Sequence, residues 1–175
     1  MEQRYADYAD DGLNEVAALS LPPHSVEAEQ SVLGGLLLEN SAWDRIADVV
    51  TGEDFYRHEH RVIFRTIAAL INESRPADII TVQEWLERND ELEAVGGFNY
   101  LITLAQNTPS AANIRRYAEI VREKSVMRQL AEVGTEIARN AYNPQGKDAA
   151  QLLDEAENKV FQIAESTAKS KQGFL

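Results

Sequence analysis

The sequence predicts an all-α protein, a globular head of short helices followed by a long antiparallel helical hairpin. Three observations predict it. Apolar residues recur at spacings of three and four, Gly-Gly and Pro signals cut the chain into short pieces as far as Pro109, and Ser110 to Tyr142 then runs with only Gly134 as an interruption.

Residues 1–20 hold Glu2, Asp7, Asp10, Asp11 and Glu15 against Arg4 alone, and are expected to form a disordered acidic tail. Leu21-Pro22-Pro23-His24-Ser25 reads as an extended entry with Ser25 as a cap, because proline keeps its predecessor out of the α region. The first helix is expected from about Val26 to Leu38, with Val32, Leu33, Leu36 and Leu37 on one apolar face. Gly34-Gly35 in its middle costs about 1 kcal/mol per glycine relative to alanine, which implies that another backbone packs closely there.

Ser41 with Asp44 is expected to open a short helix lined by Trp43, Ile46, Ala47 and Val50 and ended by Gly52. Ile63, Phe64, Ile67, Leu70 and Ile71 mark a longer helix closed before Pro76. Thr81-Val82-Gln83-Glu84 has the pattern of a capping box, with Ile80 and Trp85 as its hydrophobic staple. Gly96-Gly97 breaks the chain before Phe98, Leu101, Ile102 and Ala105, and Thr108-Pro109 ends that helix, completing a head over residues 21–109.

The hairpin is expected over 110–167. Its first helix would be about 50 Å long at 1.5 Å per residue. Ile120, Met127, Ala131, Gly134, Ala138 and Ala141 form one apolar seam, to be met by Ala149, Leu153, Ala156, Val160, Ile163 and Thr167 beyond the Asn143-Pro144-Gln145-Gly146 turn, with Asp148 and Gln151 capping the return helix. A second apolar set, Tyr117, Val121, Leu130, Val133 and Ile137, is offset from the first and is expected to meet another protein in part. Residues 168–175, small and polar until Phe174-Leu175, read as the start of a linker.

Composition narrows the function. The 175 residues suffice for a real core, 17 basic against 29 acidic residues give a net charge of −12, and a field of that sign disfavours a nucleic-acid clamp. The absence of cysteine removes disulfides, thiolate nucleophiles and zinc ribbons. No signal-peptide pattern opens the sequence, so the expected compartment is the cytoplasm.

No phosphate loop and no Gly-x-Gly-x-x-Gly occur, so no catalytic or cofactor site is expected in this chain. His58-Glu59-His60 lacks the four-residue spacing of zinc proteases and reads as an ordinary helix start, leaving no metal site. The acids, Glu29 among them, read as solvated helix faces. Trp43 and Trp85 read as core, and Arg115, Arg116, Arg122, Lys124, Arg128 and Arg139 as an exposed, salt-bridged helix face.

Several blocks carry a closer resemblance: Pro22-Pro23-His24-Ser25-Val26-Glu27-Ala28-Glu29-Gln30-Ser31-Val32-Leu33-Gly34-Gly35, Asp54-Phe55-Tyr56, His60-Arg61-x-Ile63-Phe64, Val95-Gly96-Gly97-Phe98-x-Tyr100-Leu101, Asn107-Thr108-Pro109-Ser110-Ala111-Ala112-Asn113-Ile114 and Leu153-Asp154-x-Ala156-Glu157. In this order, from about Leu21 to Ser166, they resemble the N-terminal part of the bacterial replicative DNA helicases of the DnaB family. The resemblance implies an assembly domain that pairs through its hairpins into a trimer of dimers within a six-fold ring and docks the C-terminal domain of primase. It further implies a following ATPase domain that uses ATP and Mg for 5′→3′ unwinding and makes the main contacts to DNA, with a helicase loader as a further partner. Carried over by motif, primase docking falls on Tyr100, Ala131 and Ile137, the latter two also fitting a core role. For the protomer interface the offset stripe suggests Leu130, Val133 and Leu153. The alternatives are a stand-alone helical adaptor or loader factor without a motor, a helix-turn-helix nucleic-acid binder using Arg115-Arg116, and an enzyme of another type.

Overall fold

A computed structural model describes residues 21–172, with side chains to Ala168. The acidic tail expected over 1–20 lies outside the described residues. Seven α-helices follow among them: α1 (Val26–Leu38), α2 (Trp43–Ile46), α3 (His58–Asn72), α4 (Ile79–Arg88), α5 (Gly97–Asn107), α6 (Ile114–Tyr142) and α7 (Ala149–Gln172). No strand occurs among the described residues.

Helix α1 is the hub of the head. Ser25 caps it, its hydroxyl accepting from the Ala28 N–H at 3.2 Å. The expected single apolar face is wider than the periodicity implies, because every residue from Val32 to Leu37 is buried and α3, α5 and α6 all pack on this helix. The two glycines make that possible. A Cβ on Gly34 would stand 2.0 Å from Thr108 Oγ1 and 2.4 Å from the Leu104 carbonyl, and one on Gly35 would stand 3.0 Å from Ile114 Cδ1. The end of α5 and the start of α6 thus lie against bare α1 backbone.

Two local expectations are corrected. Ser41 does not cap a helix; it lies in a 3₁₀ turn over Asn40–Ala42, its hydroxyl donating to Glu39. α2 spans only four residues and Gly52 begins a second 3₁₀ turn, Gly52–Asp54, instead of ending a helix. The capping box of α4 sits three residues earlier than Thr81–Glu84. Asp78 Oδ1 accepts from the Ile80 and Thr81 N–H groups, Thr81 Oγ1 accepts from the Asp78 N–H, and Glu84 pairs with Arg88. The start is set by tertiary contacts: Ala77 is fully buried, with its N–H and C=O both bonded to the Asn40 side chain, which holds Asp78 at the cap.

In the hairpin, α6 starts at Ile114 and buries Ile114, Ala118, Val121 and Ser125 in the head. At 1.5 Å per residue its 29 residues span about 44 Å. The turn uses left-handed conformations at Gln145 and Gly146. Asp148 and Gln151 then cap α7 reciprocally, each backbone N–H donating to the other's side chain at 3.0 and 2.9 Å, as the sequence predicts. Helix α7 continues to Gln172, so the residues expected to open a linker at 168 are helical for another turn.

Candidate docking surface on the hairpin

The two apolar sets of α6 exchange in part the roles expected of them. Val133 and Ile137, of the offset set, are half-buried and line the grooves between the hairpin helices, Ile137 with Leu152, Leu153 and Ala156, Val133 with Lys159 and Ile163. Lys159 donates to Glu136 across the same seam. Of the expected seam, Met127, Ala131, Gly134, Ala138 and Ala141 are exposed while Ile120 packs half-buried against the head core, and Leu130 of the offset set is also exposed, at 49%.

Helical geometry accounts for the exchange. At 3.6 residues per turn, Ile114, Ala118, Val121 and Ser125 lie on the side of α6 nearly opposite the Met127–Ala141 stripe. The head takes the first side, α7 packs beside it over Val133 and Ile137, and the stripe is left outside. Exposed Leu153 (64%) and Val160 (45%) extend it onto α7, and Ala141 and Leu153 share one groove. Contiguous apolar surface rimmed by charge marks a protein-binding face.

Head and hairpin are joined by arginines. The expectation that all of them form an exposed face is corrected: Arg122 donates to the buried carboxylate of Asp54 at 2.7 Å and to Ser166 on α7 at 3.2 Å, while Arg128 donates to the Pro23 and Asp54 carbonyls at 2.8 and 2.6 Å. Arg128 also lies over the Tyr56 ring, against which His24 stacks. Burial lowers the pKa of its guanidinium, opposed by the charges of Glu29 and Asp54. Arg115 and Arg116 do pair with Glu119 on the surface.

The head contains a polar chain that the sequence reading missed. Glu29, expected on a solvated face, is 1% exposed and accepts from the backbone N–H groups of Tyr56 (2.9 Å) and Arg57 (3.3 Å) and from His60 Nδ1 (2.8 Å). Burial pushes its carboxyl up, but the His60 bond and the two backbone bonds outweigh this and hold it below the ordinary 4.5. His60 is fully buried, and its Nε2 stands 2.6 Å from Tyr100 Oη. His58-Glu59-His60 is therefore more than a helix start, since one histidine is a core hydrogen-bonding group. Among the described residues no cluster of three or more His, Asp or Glu fit to hold a metal occurs.

Of the residues singled out from sequence, Tyr100 is partly buried in the head, where its hydroxyl meets His60 and Gln30. Ala131 and Leu130 stand on the exposed stripe, and Ile137 and Leu153 come together in one groove, with Val133 in the next. The signal that could have found Glu29 is its place within α1, one residue from buried Ala28 and three from Val32, where a solvated acid does not fit.

A helical head thus holds the base of the hairpin through Arg122 and Arg128 and leaves an apolar face of the hairpin exposed. The chain belongs to the DnaB-like helicase N-terminal domain family, whose model matches residues 21–123. It is 48% identical to the replicative DNA helicase DnaB of Haemophilus influenzae over 159 residues, covering 91% of this chain and 34% of that protein. The chain thus spans about a third of the length of this curated relative. The crystal structure of the N-terminal domain of DnaB helicase from Mycobacterium tuberculosis superposes with a TM-score of 0.78 at 38% identity, covering 81% of this chain and 99% of that one. A DnaB-like replicative helicase, solved in a study of its interactions with primase, shares the fold with a TM-score of 0.65 at 24% identity, over 79% of this chain and 30% of that one.

Proposed function

We propose that this chain is the assembly and primase-docking domain of a hexameric replicative DNA helicase that unwinds DNA 5′→3′ at the fork. The observation that carries the reading is the exposed stripe of Met127, Leu130, Ala131, Gly134, Ala138 and Ala141, continued by Leu153 and Val160, which no element of the head covers. Small residues at spacings of four and three let another helix approach closely. Family membership and the structural neighbour studied with primase support the same reading. In it the ATPase motor, with ATP and Mg and the main contacts to DNA, belongs to sequence beyond this chain, and pairing of hairpins builds the ring. Leu130, Val133 and Leu153 serve pairing; Tyr100, Ala131 and Ile137 serve primase, and a loader is a further partner.

Calorimetric titration of the folded chain with the C-terminal domain of primase tests the docking reading. Saturable binding is expected, weakened at least about tenfold by Ala131→Asp, since an interface hot spot carries about 2 kcal/mol or more. Ala131 is exposed, so circular dichroism of that variant should match the parent; half-buried Ile137 is the poorer probe, because an aspartate there also opens the hairpin. Light scattering on the same samples reads self-association. A folded chain that binds no primase domain in either its monomeric or its assembled form would overturn the docking reading.

A further inference from the structure

The buried polar chain in the head assigns a role to two residues that no partner can touch. Glu29 is 1% exposed and His60 fully buried, and they stand in line with the partly exposed Tyr100. A carboxylate only accepts, so the 2.8 Å contact with Glu29 places a proton on His60 Nδ1. Its Nε2 stands 2.6 Å from the Tyr100 hydroxyl, and the two share one hydrogen bond. Gln30 Nε2 donates to the same hydroxyl oxygen at 3.2 Å. The phenol oxygen is thereby held between His60 and Gln30.

The root of the side chain is seated as well. Gly96 has φ +103°, and a Cβ on it would stand 3.0 Å from Tyr100 Cβ and 3.2 Å from Cγ. The Gly96-Gly97-x-x-Tyr100 pattern thus has a physical reason: Gly96 supplies a left-handed turn and a bare surface for the base of the ring, while His60 holds its tip. Glu29 is in turn fixed by backbone N–H groups at the entry to α3, so the ring on α5 is oriented by α1 and α3 together.

We propose that Glu29 and His60 are positioning residues for docking: they hold the Tyr100 hydroxyl inward, so that the primase C-terminal domain meets the ring of Tyr100 and not its hydroxyl. This rests on the docking reading above. Two independent readouts test it. Nitrogen-15 NMR of the wild-type chain should show a proton on His60 Nδ1, hydrogen-bonded to Glu29. Titration with the primase C-terminal domain should show Glu29→Gln and Tyr100→Phe each weakening binding by about threefold to tenfold, the affinity equivalent of ordering one side chain at an interface. Tyr100→Ala, which removes the ring, should weaken it more.

A His60 Nδ1 without a proton would overturn the chain that runs from Glu29 to Tyr100. Tyr100→Phe losing as much affinity as Tyr100→Ala would make the hydroxyl itself the contact and overturn the proposal. Folded Glu29→Gln binding as tightly as wild type would overturn the positioning role while leaving the docking reading intact. Failure of the folded wild-type chain to bind would overturn both. Should Glu29→Gln not fold, the His60 Nδ1 proton and the Phe–Ala comparison decide the matter alone.

Discussion

The guanidinium of Arg128, on the hairpin, donates at 2.8 Å to the carbonyl of Pro23, 105 positions earlier in the chain. Its other nitrogen donates to the Asp54 carbonyl, and its central carbon lies over the Tyr56 ring, so one side chain fastens the entry segment, a head loop and α6. Arg128→Met, which keeps most of the stem, should destabilise the chain by about 2 kcal/mol in urea unfolding, the worth of charge-assisted bonds to two carbonyls at a partly exposed site. Hydrogen exchange should quicken at Tyr56 and in the 21–25 segment. An unchanged urea midpoint would show that this clasp is not energetically significant.

Asp54 and Arg122 form the second clasp, with side chains 3% and 18% exposed. Asp54 Oδ2 also accepts from the Thr51 N–H at 2.8 Å. Asp54→Ala strands the arginine against the head and releases that turn, and should cost about 3 kcal/mol of stability. Replacing both partners with apolar residues should cost less than Asp54→Ala alone, and a double-mutant cycle read by urea unfolding checks the sign of that difference.

Two glycines should respond oppositely to alanine. Gly34→Ala drives a methyl group into Thr108 and the Leu104 carbonyl and should destabilise the chain by about 3 kcal/mol or prevent folding. A Cβ on Gly134 meets nothing within 4 Å, so Gly134→Ala should stabilise dilute protein by up to about 1 kcal/mol through helix propensity. The same substitution should weaken self-association if hairpins pair across the stripe. Thermal unfolding at low concentration and sedimentation at high concentration separate the two effects.

Acid should reveal Glu29. Its folded pKa lies below the ordinary 4.5, so its contribution is fully present above that value and is lost as the pH falls through the lower folded value. Urea midpoints of the wild-type chain should therefore fall more steeply below about pH 4.5 than those of Glu29→Gln. Equal acid slopes in the two proteins would contradict the lowered pKa.

What the sequence determined by itself was what short-range physics decides: the helical class, α1 with its Ser25 cap, the contact promised by Gly34-Gly35, and the turn at 143–146 with its Asp148/Gln151 caps. Each follows from periodicity or from the chemistry of a few adjacent residues. Tertiary structure decided the rest. Thr81-x-x-Glu84 and Asp78-x-x-Thr81 both offer a cap, and Asn40, through its grip on Ala77, selects the second. Both apolar sets of α6 repeat at helical spacing, and only the docking of Ile114, Ala118, Val121 and Ser125 into the head settles which set α7 covers and which stays outside. Glu29, His60 and Tyr100 lie 31 and 40 positions apart and carry no pattern among themselves. Their hydrogen-bonded chain exists because α1, α3 and α5 pack together, which a one-dimensional repeat does not encode.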